Sequence, residues 1–162
     1  MSDTQSQSEN QPTLPQRPAL LLLAALWILA APLFVCSPVT SDTSLFDVQA
    51  MTVLKGGVLS RDVLEPNLPG IVWLHLAVRS LVGWSSEAIR AVDLVIFAAT
   101  LLVFCSFISS PDRRHPRRQW PLVYILLCSL FYLTRNEWCH CQRDIWMLLP
   151  VDCALGMRFR VR

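Results

Sequence analysis

Residues Ala19 to Cys36 form an uninterrupted apolar run, and no other feature of this chain constrains its fold so strongly. At ~1.5 Å per residue the run just spans a hydrocarbon core of about 30 Å as a helix. Trp27 and Pro32 lie within it. A cleaved signal peptide is the competing reading. Its n-region would have only Arg17 beyond the terminal amine, and the run exceeds the usual ~7–15-residue apolar core of a signal. Val35 stands where a lipoprotein site at Cys36 would need a small residue. The run is therefore read as an uncleaved anchor.

Two further runs come later, at residues 88–109 and 120–134. The first carries Arg90 and Asp93 in its opening turns, at an interface where charge is less costly. The second is short, with Trp120, Tyr124 and Tyr132 as candidate interface anchors. Between them lie Arg113, Arg114, Arg117 and Arg118, a cluster that marks a cytoplasmic loop. Ile71–Trp84 is also apolar, but a segment of ~10–14 residues is more often interfacial than spanning. Counting it as a span would turn the arginine cluster outward. It is laid along the membrane surface, with Arg79 snorkelling to the headgroups.

The expected fold is thus an all-α integral membrane protein with about three transmembrane helices (19–36, 88–109, 120–134) and juxtamembrane helices in the first outer loop. Residues 1–18 are Ser-, Gln- and Pro-rich and read as a disordered cytoplasmic tail. Residues 37–87 form the outer loop and 110–119 the cytoplasmic loop. The 19–150 stretch is one membrane region. Leu45–Leu54 has helical potential ended by Gly56-Gly57, and Pro66 and Pro69 stiffen the segment leading to Gly70. Ile145–Met157 begins like another span, but Asp152 interrupts it. Residues 151–162 then read as an atypical tail ending Arg158-Phe159-Arg160-Val161-Arg162. The expected location is the cell inner or plasma membrane, with the N-terminus in the cytoplasm.

Composition agrees. Apolar residues make up 53% of the chain and charged residues 16%, against about 25% charged in soluble domains. A net charge of +2 is too small for a nucleic-acid partner. The expected partner is membrane lipid; protein partners are not legible. The six cysteines do not form a disulfide framework: Cys105 and Cys128 lie inside apolar runs, and Cys36, Cys139, Cys141 and Cys153 fall near run ends.

On the outer side the acidic residues are Asp42, Asp47, Asp62, Glu65, Glu87, Glu137 and Asp144. Asp47, Glu65 and Asp144 lie next to apolar segments. Carboxylates at a bilayer surface can act as general base on a hydroxyl or hold a divalent cation against a phosphate. The plainer reading is solvated loop charges. Glu137-Trp138-Cys139-His140-Cys141 lacks zinc-ligand spacing, and His75 reads as a packing histidine.

The stretch Phe46-Asp47-Val48-Gln49-Ala50 through Gly56-Gly57, Arg61-Asp62, Glu65-Pro66 and Pro69-Gly70 resembles the first outer loop of GT-C glycosyltransferases. It is most similar to the branch with the dolichyl-phosphate-mannose protein mannosyltransferases and the lipid A aminoarabinose transferase. Ser86-Glu87-Ala88-Ile89-Arg90 is similar to that family's entry into the next span. Gln142-Arg143-Asp144-Ile145-Trp146 is similar to its Asp-plus-apolar motif opening a later span.

The resemblance implies inverting transfer of a sugar from a polyprenyl-phosphate donor on the outer face. Asp47 matches the acceptor-activating carboxylate. Glu65 and Asp144 match positions associated with the donor phosphate or a divalent cation, the one cofactor implied. Arg61 or Arg143 could pair with the donor phosphate on physical grounds. The chain departs from the pattern at Val48, where many relatives carry a second acid, at Ser60, where an aromatic is usual, and at Pro66-Asn67, which replaces a Lys-Pro. It would supply only the first three spans, the N-terminal fragment of such an enzyme. The alternatives are a small non-catalytic multi-span protein that assembles with partners, and a degraded gene fragment.

Overall fold

The computed structural model describes residues 16–64, 69–108, 120–134 and 140–160. Among them are six helices: α1 (Gln16–Cys36), α2 (Ser41–Leu54), α3 (Gly70–Val82), α4 (Ser86–Ile108), α5 (Trp120–Thr134) and α6 (Arg143–Arg160). Two of these, α1 and α4, are long and apolar enough to cross a membrane. Helix α5 has 15 residues, or about 22 Å, less than a hydrocarbon core. The expected all-helical architecture is present.

Helix α2 begins earlier than the apolar pattern suggested. The Thr40 hydroxyl accepts from the Thr43 amide at 3.2 Å, a side-chain N-cap that satisfies one of the unpaired amides of the first turn. At the other end Gly56 has φ +88° and Gly57 donates to the Thr52 carbonyl at 2.9 Å. A Cβ on Gly57 would fall 2.6 Å from Thr52 Cγ2 and 2.9 Å from its carbonyl oxygen, so the turn has no room for a side chain. Helices α2 and α3 form a hairpin around Phe46, Ala50, Ile71 and Val72.

The remaining helices form a bundle in which α4 packs on α6, and α1 packs on both α5 and α4. Phe34, Leu94, Phe97, Leu101 and Tyr132 are its buried centre. Trp27 of α1 donates to the Ser129 hydroxyl of α5 at 3.1 Å and stacks on Phe97 of α4. The α2–α3 hairpin sits at the end of the bundle reached by the C-termini of α1 and α5 and the N-termini of α4 and α6. The helix ends at Ile108 and Trp120 lie at the opposite end, where Cys105 contacts the Pro121 carbonyl. The arginine cluster between them falls outside the described residues.

Two expectations change. The interruption anticipated at Asp152 does not break the helix: α6 is continuous over 18 residues through Pro150 and Asp152. It runs in the same direction as α4, with Trp146 against Asp93 at one end and Gly156 against Phe107 at the other. At ~1.5 Å per residue it covers about 27 Å. Arg79 does not snorkel. Its side chain is 1% exposed and turns inward to a carboxylate 32 residues earlier.

Candidate functional site

His75 and Arg79 are one helical turn apart on α3 and so share a face. That face meets Asp47 on α2. Arg79 Nε donates to Asp47 Oδ1 at 2.8 Å, and its Nη2 donates to Oδ2. His75 Nδ1 lies 3.1 Å from Oδ1. Arg79 also donates to the Ser85 carbonyl at 2.5 Å and the Gly83 carbonyl at 3.4 Å. Gly83, at φ +95°, is the turn that brings these carbonyls back to it.

Burial pushes the Asp47 carboxyl up, but the hydrogen bonds from His75 and Arg79 and the Arg79 charge outweigh it, and the net effect holds it below its ordinary range. An ionised carboxylate only accepts hydrogen bonds, so Nδ1 of His75 carries its hydrogen toward Asp47. The imidazole is fully buried, edge-on to Phe46 and stacked on Trp146 with centroids 5.5 Å apart. Its Nε2 has no hydrogen-bond partner among the described residues.

Trp146 links this group to a second one. Its Nε1 donates to Asp93 Oδ1 at 2.6 Å, and the Tyr132 hydroxyl donates to Oδ2 at 2.8 Å. The Cys141 amide donates to the same carboxylate. Asp93 thus joins α4, α5, α6 and the turn before α6. One helical turn earlier, Arg90 bonds the Pro38 carbonyl and lies over the Phe34 ring at 5.0 Å. Arg90 Nη1 is 3.3 Å from His140 Nδ1, and His140 Nε2 is 2.8 Å from the Tyr132 carbonyl. A guanidinium only donates and a carbonyl only accepts. His140 is therefore the neutral tautomer with its hydrogen on Nε2.

No family model, no curated protein and no solved structure matches this chain. Its site is defined by its own geometry.

Asp47 is 19% exposed and opens onto a groove of about 410 Å³ lined also by Val48, Met51, Thr52, Lys55 and Trp84. A larger apolar cavity of about 670 Å³ lies between α4, α5 and α6, lined by residues such as Leu101, Leu127 and Leu148. Among the described residues, none of the other expected site residues is bonded to Asp47. Arg61 is exposed and pairs with its neighbour Asp62 at 2.8 Å. Asp62 in turn accepts from the Val58 amide, which closes the loop after α2. Asp144 is exposed in the first turn of α6 beside Arg143, at 3.3 Å. Glu65 lies outside the described residues; the chain just before it is tied to α2 by Gln49 Nε2, which donates to the Leu64 carbonyl at 2.8 Å. No group of three His, Cys, Asp or Glu side chains that could hold a metal forms among the described residues.

Sequence reading missed His75 and Arg79 as partners of Asp47. It also placed Asp93 at an interface, where the structure buries it. The available signal was the spacing itself: His75 and Arg79, four apart, are the only ionisable residues in an apolar helix.

Proposed function

We propose that this chain is an integral membrane protein forming the N-terminal part of a glycosyltransferase that uses a polyprenyl-phosphate sugar at the outer face. The observation that carries the reading is Asp47. It is an ionised carboxylate held rigidly by Arg79 and His75, and it borders a groove at the end of the bundle opposite the Ile108 and Trp120 helix ends. Oδ1 already has two partners and Oδ2 has one. Each carboxylate oxygen accepts two hydrogen bonds, so one lone pair of Oδ2 is open to a hydroxyl.

In the reaction an acceptor hydroxyl gives its proton to Asp47 as its oxygen attacks the anomeric carbon of the donor. The new carbon–oxygen bond forms as the bond to phosphate breaks. The polyprenyl phosphate leaves with the electron pair, and the anomeric configuration inverts. Arg79 keeps the base ionised and oriented beforehand.

The distribution of charge supports the orientation. Arg17 of α1 and Arg158 and Arg160 of α6 belong to helix ends away from the site, and in the sequence Arg113, Arg114, Arg117 and Arg118 fall between α4 and α5. With α1 and α4 crossing and the shorter α5 and α6 following them, that end is cytoplasmic by the positive-inside rule, and the N-terminus lies inside the cell.

The test is sugar transfer from a polyprenyl-phosphate sugar by membranes containing the chain, or its longer form. Asp47→Asn and Arg79→Met both break the ion pair, but only the first removes the base. Transfer should fall by at least a thousandfold in Asp47→Asn and far less in Arg79→Met, with insertion unchanged in both. Equal losses would favour a second reading, a non-catalytic multi-span protein that assembles with partners. One observation favours that reading: both Asp47 oxygens already hold a cationic or imidazole donor, as in a structural ion pair.

A further inference from the structure

Lys55 is the only lysine in the chain. It ends α2 as its C-cap, is exposed, and has no ion-pair partner among the described residues. Asp47, Met51 and Lys55 recur every fourth residue, so they line one face of α2 and its end. That face is the floor of the 410 Å³ groove, and Trp84 is its wall. Trp84 is half-buried, with the Arg79 guanidinium 5.9 Å from its ring.

The three chemistries in the groove are distinct. Asp47 accepts a hydroxyl hydrogen. Trp84 offers a flat apolar surface. Lys55 supplies a compact, hydrated point charge suited to phosphate. Asp47 and Lys55 are two turns apart, about 12 Å along the axis. Side chains tilt toward the helix N-terminus, so Lys55 leans back over the groove. Carboxylate and lysine thus line the same groove.

We infer that the groove binds an anionic hydroxyl compound, a sugar phosphate in chemical class, with its ring on Trp84, its phosphate on Lys55 and a free hydroxyl at Asp47. This rests on the transferase reading for the role of the hydroxyl, and it names the acceptor class. A neutral sugar lacks the group that Lys55 would hold. A lipid phosphate headgroup carries the same charge without the ring.

A single lysine makes the test direct. The full chain is reconstituted in phosphatidylcholine nanodiscs and reductively methylated, and modification of Lys55 is followed by mass spectrometry. The N-terminal amine is the internal control. Mannose 6-phosphate should slow Lys55 modification at least fivefold and leave the control unchanged. Mannose should not protect, and inorganic phosphate should protect less than the sugar phosphate. In Trp84→Ala, mannose 6-phosphate should protect no better than inorganic phosphate.

Equal protection by neutral mannose, or none by the sugar phosphate, overturns the inference. Protection that arises only when phosphatidylglycerol is added to the disc also overturns it, and assigns Lys55 to a lipid headgroup. Binding is read here without turnover, so the two readings fail separately. Unprotected Lys55 with active transfer removes this groove and leaves Asp47 as base. Protected Lys55 with transfer intact in Asp47→Asn removes the base and leaves the groove.

Discussion

Trp146 donates its indole hydrogen to Asp93 at 2.6 Å, and this bond fastens α6 to α4 at the site end of the bundle. Asp93 also takes the Tyr132 hydroxyl, so removing the carboxylate orphans two buried side-chain donors. Each unsatisfied buried donor costs roughly 1–3 kcal/mol. Asp93→Ala should therefore lower stability by about 2–6 kcal/mol. Trp146→Phe keeps the ring against His75 and loses one bond, for about 1 kcal/mol. Thermal unfolding in detergent checks both, and equal losses would contradict the shared acceptor.

The Asp47–Arg79 pair makes a different prediction. Arg79 is 1% exposed, so truncating its partner leaves a charge with little access to water. Breaking a buried pair from one side costs roughly 3–5 kcal/mol, whereas replacing both partners by apolar residues is often neutral. Asp47 retains some exposure, which places Asp47→Leu near the lower figure. The double variant Asp47→Leu, Arg79→Met should regain most of the loss. A double variant no better than Asp47→Leu would mean that the two residues act independently.

Asp47 also sets an acid limit. Its folded pKa lies below the usual carboxylate value, so the unfolded chain binds the proton more readily. The stability this adds is fully present above the unfolded carboxyl pKa of about 3.9 and is lost as pH falls through the lower folded value. The α2–α3 hairpin should show no Asp47-dependent change from about pH 7 to about pH 5. Below about pH 4 its amide exchange should accelerate, and Asp47→Asn should remove that acid limb. Acceleration already complete at about pH 5 would contradict the depressed pKa.

Continuity of α6 can be tested by side. Cys36 is exposed at the site end of α1, whereas Arg160 ends α6 at the far end. In a chain with Cys36 as its single cysteine, an impermeant maleimide should react from outside intact cells. A single cysteine introduced by Arg160→Cys should react only after permeabilisation. Labelling of both from outside would place α6 on the surface and reduce the number of crossings.

The elements that sequence reading recovered are those written in one local window. Ala19–Cys36 is a single run and falls in α1, which begins at Gln16, within the stretch expected as a disordered tail. Gly56-Gly57 ends α2 because the turn demands a positive φ and a missing Cβ at adjacent positions. The misreadings all involve distant partners. A lone arginine in an apolar segment ordinarily reaches for headgroups. That Arg79 instead turns to Asp47 depends on how two helices close, which no periodicity encodes. Asp152 looked like an interruption because hydropathy registers the charge. The close approach of Gly156 to Phe107 is a property of α4 and α6 together. Asp47 stands out in the sequence beside an apolar segment, whereas the groove that it lines with Lys55 and Trp84 exists only in the folded chain.

The Asp93 hub has a consequence for how the molecule is made. Asp93 sits on α4, yet all its donors come later in the chain: Tyr132, the Cys141 amide and Trp146. During synthesis the carboxylate emerges first; its first donor, Tyr132, follows 39 residues later and its last, Trp146, 53 residues later. An unpaired carboxylate has a strong preference for water over hydrocarbon. If α4 crosses a membrane as proposed, it can settle to its final depth only after α6 has arrived, so a later helix completes the insertion of an earlier one.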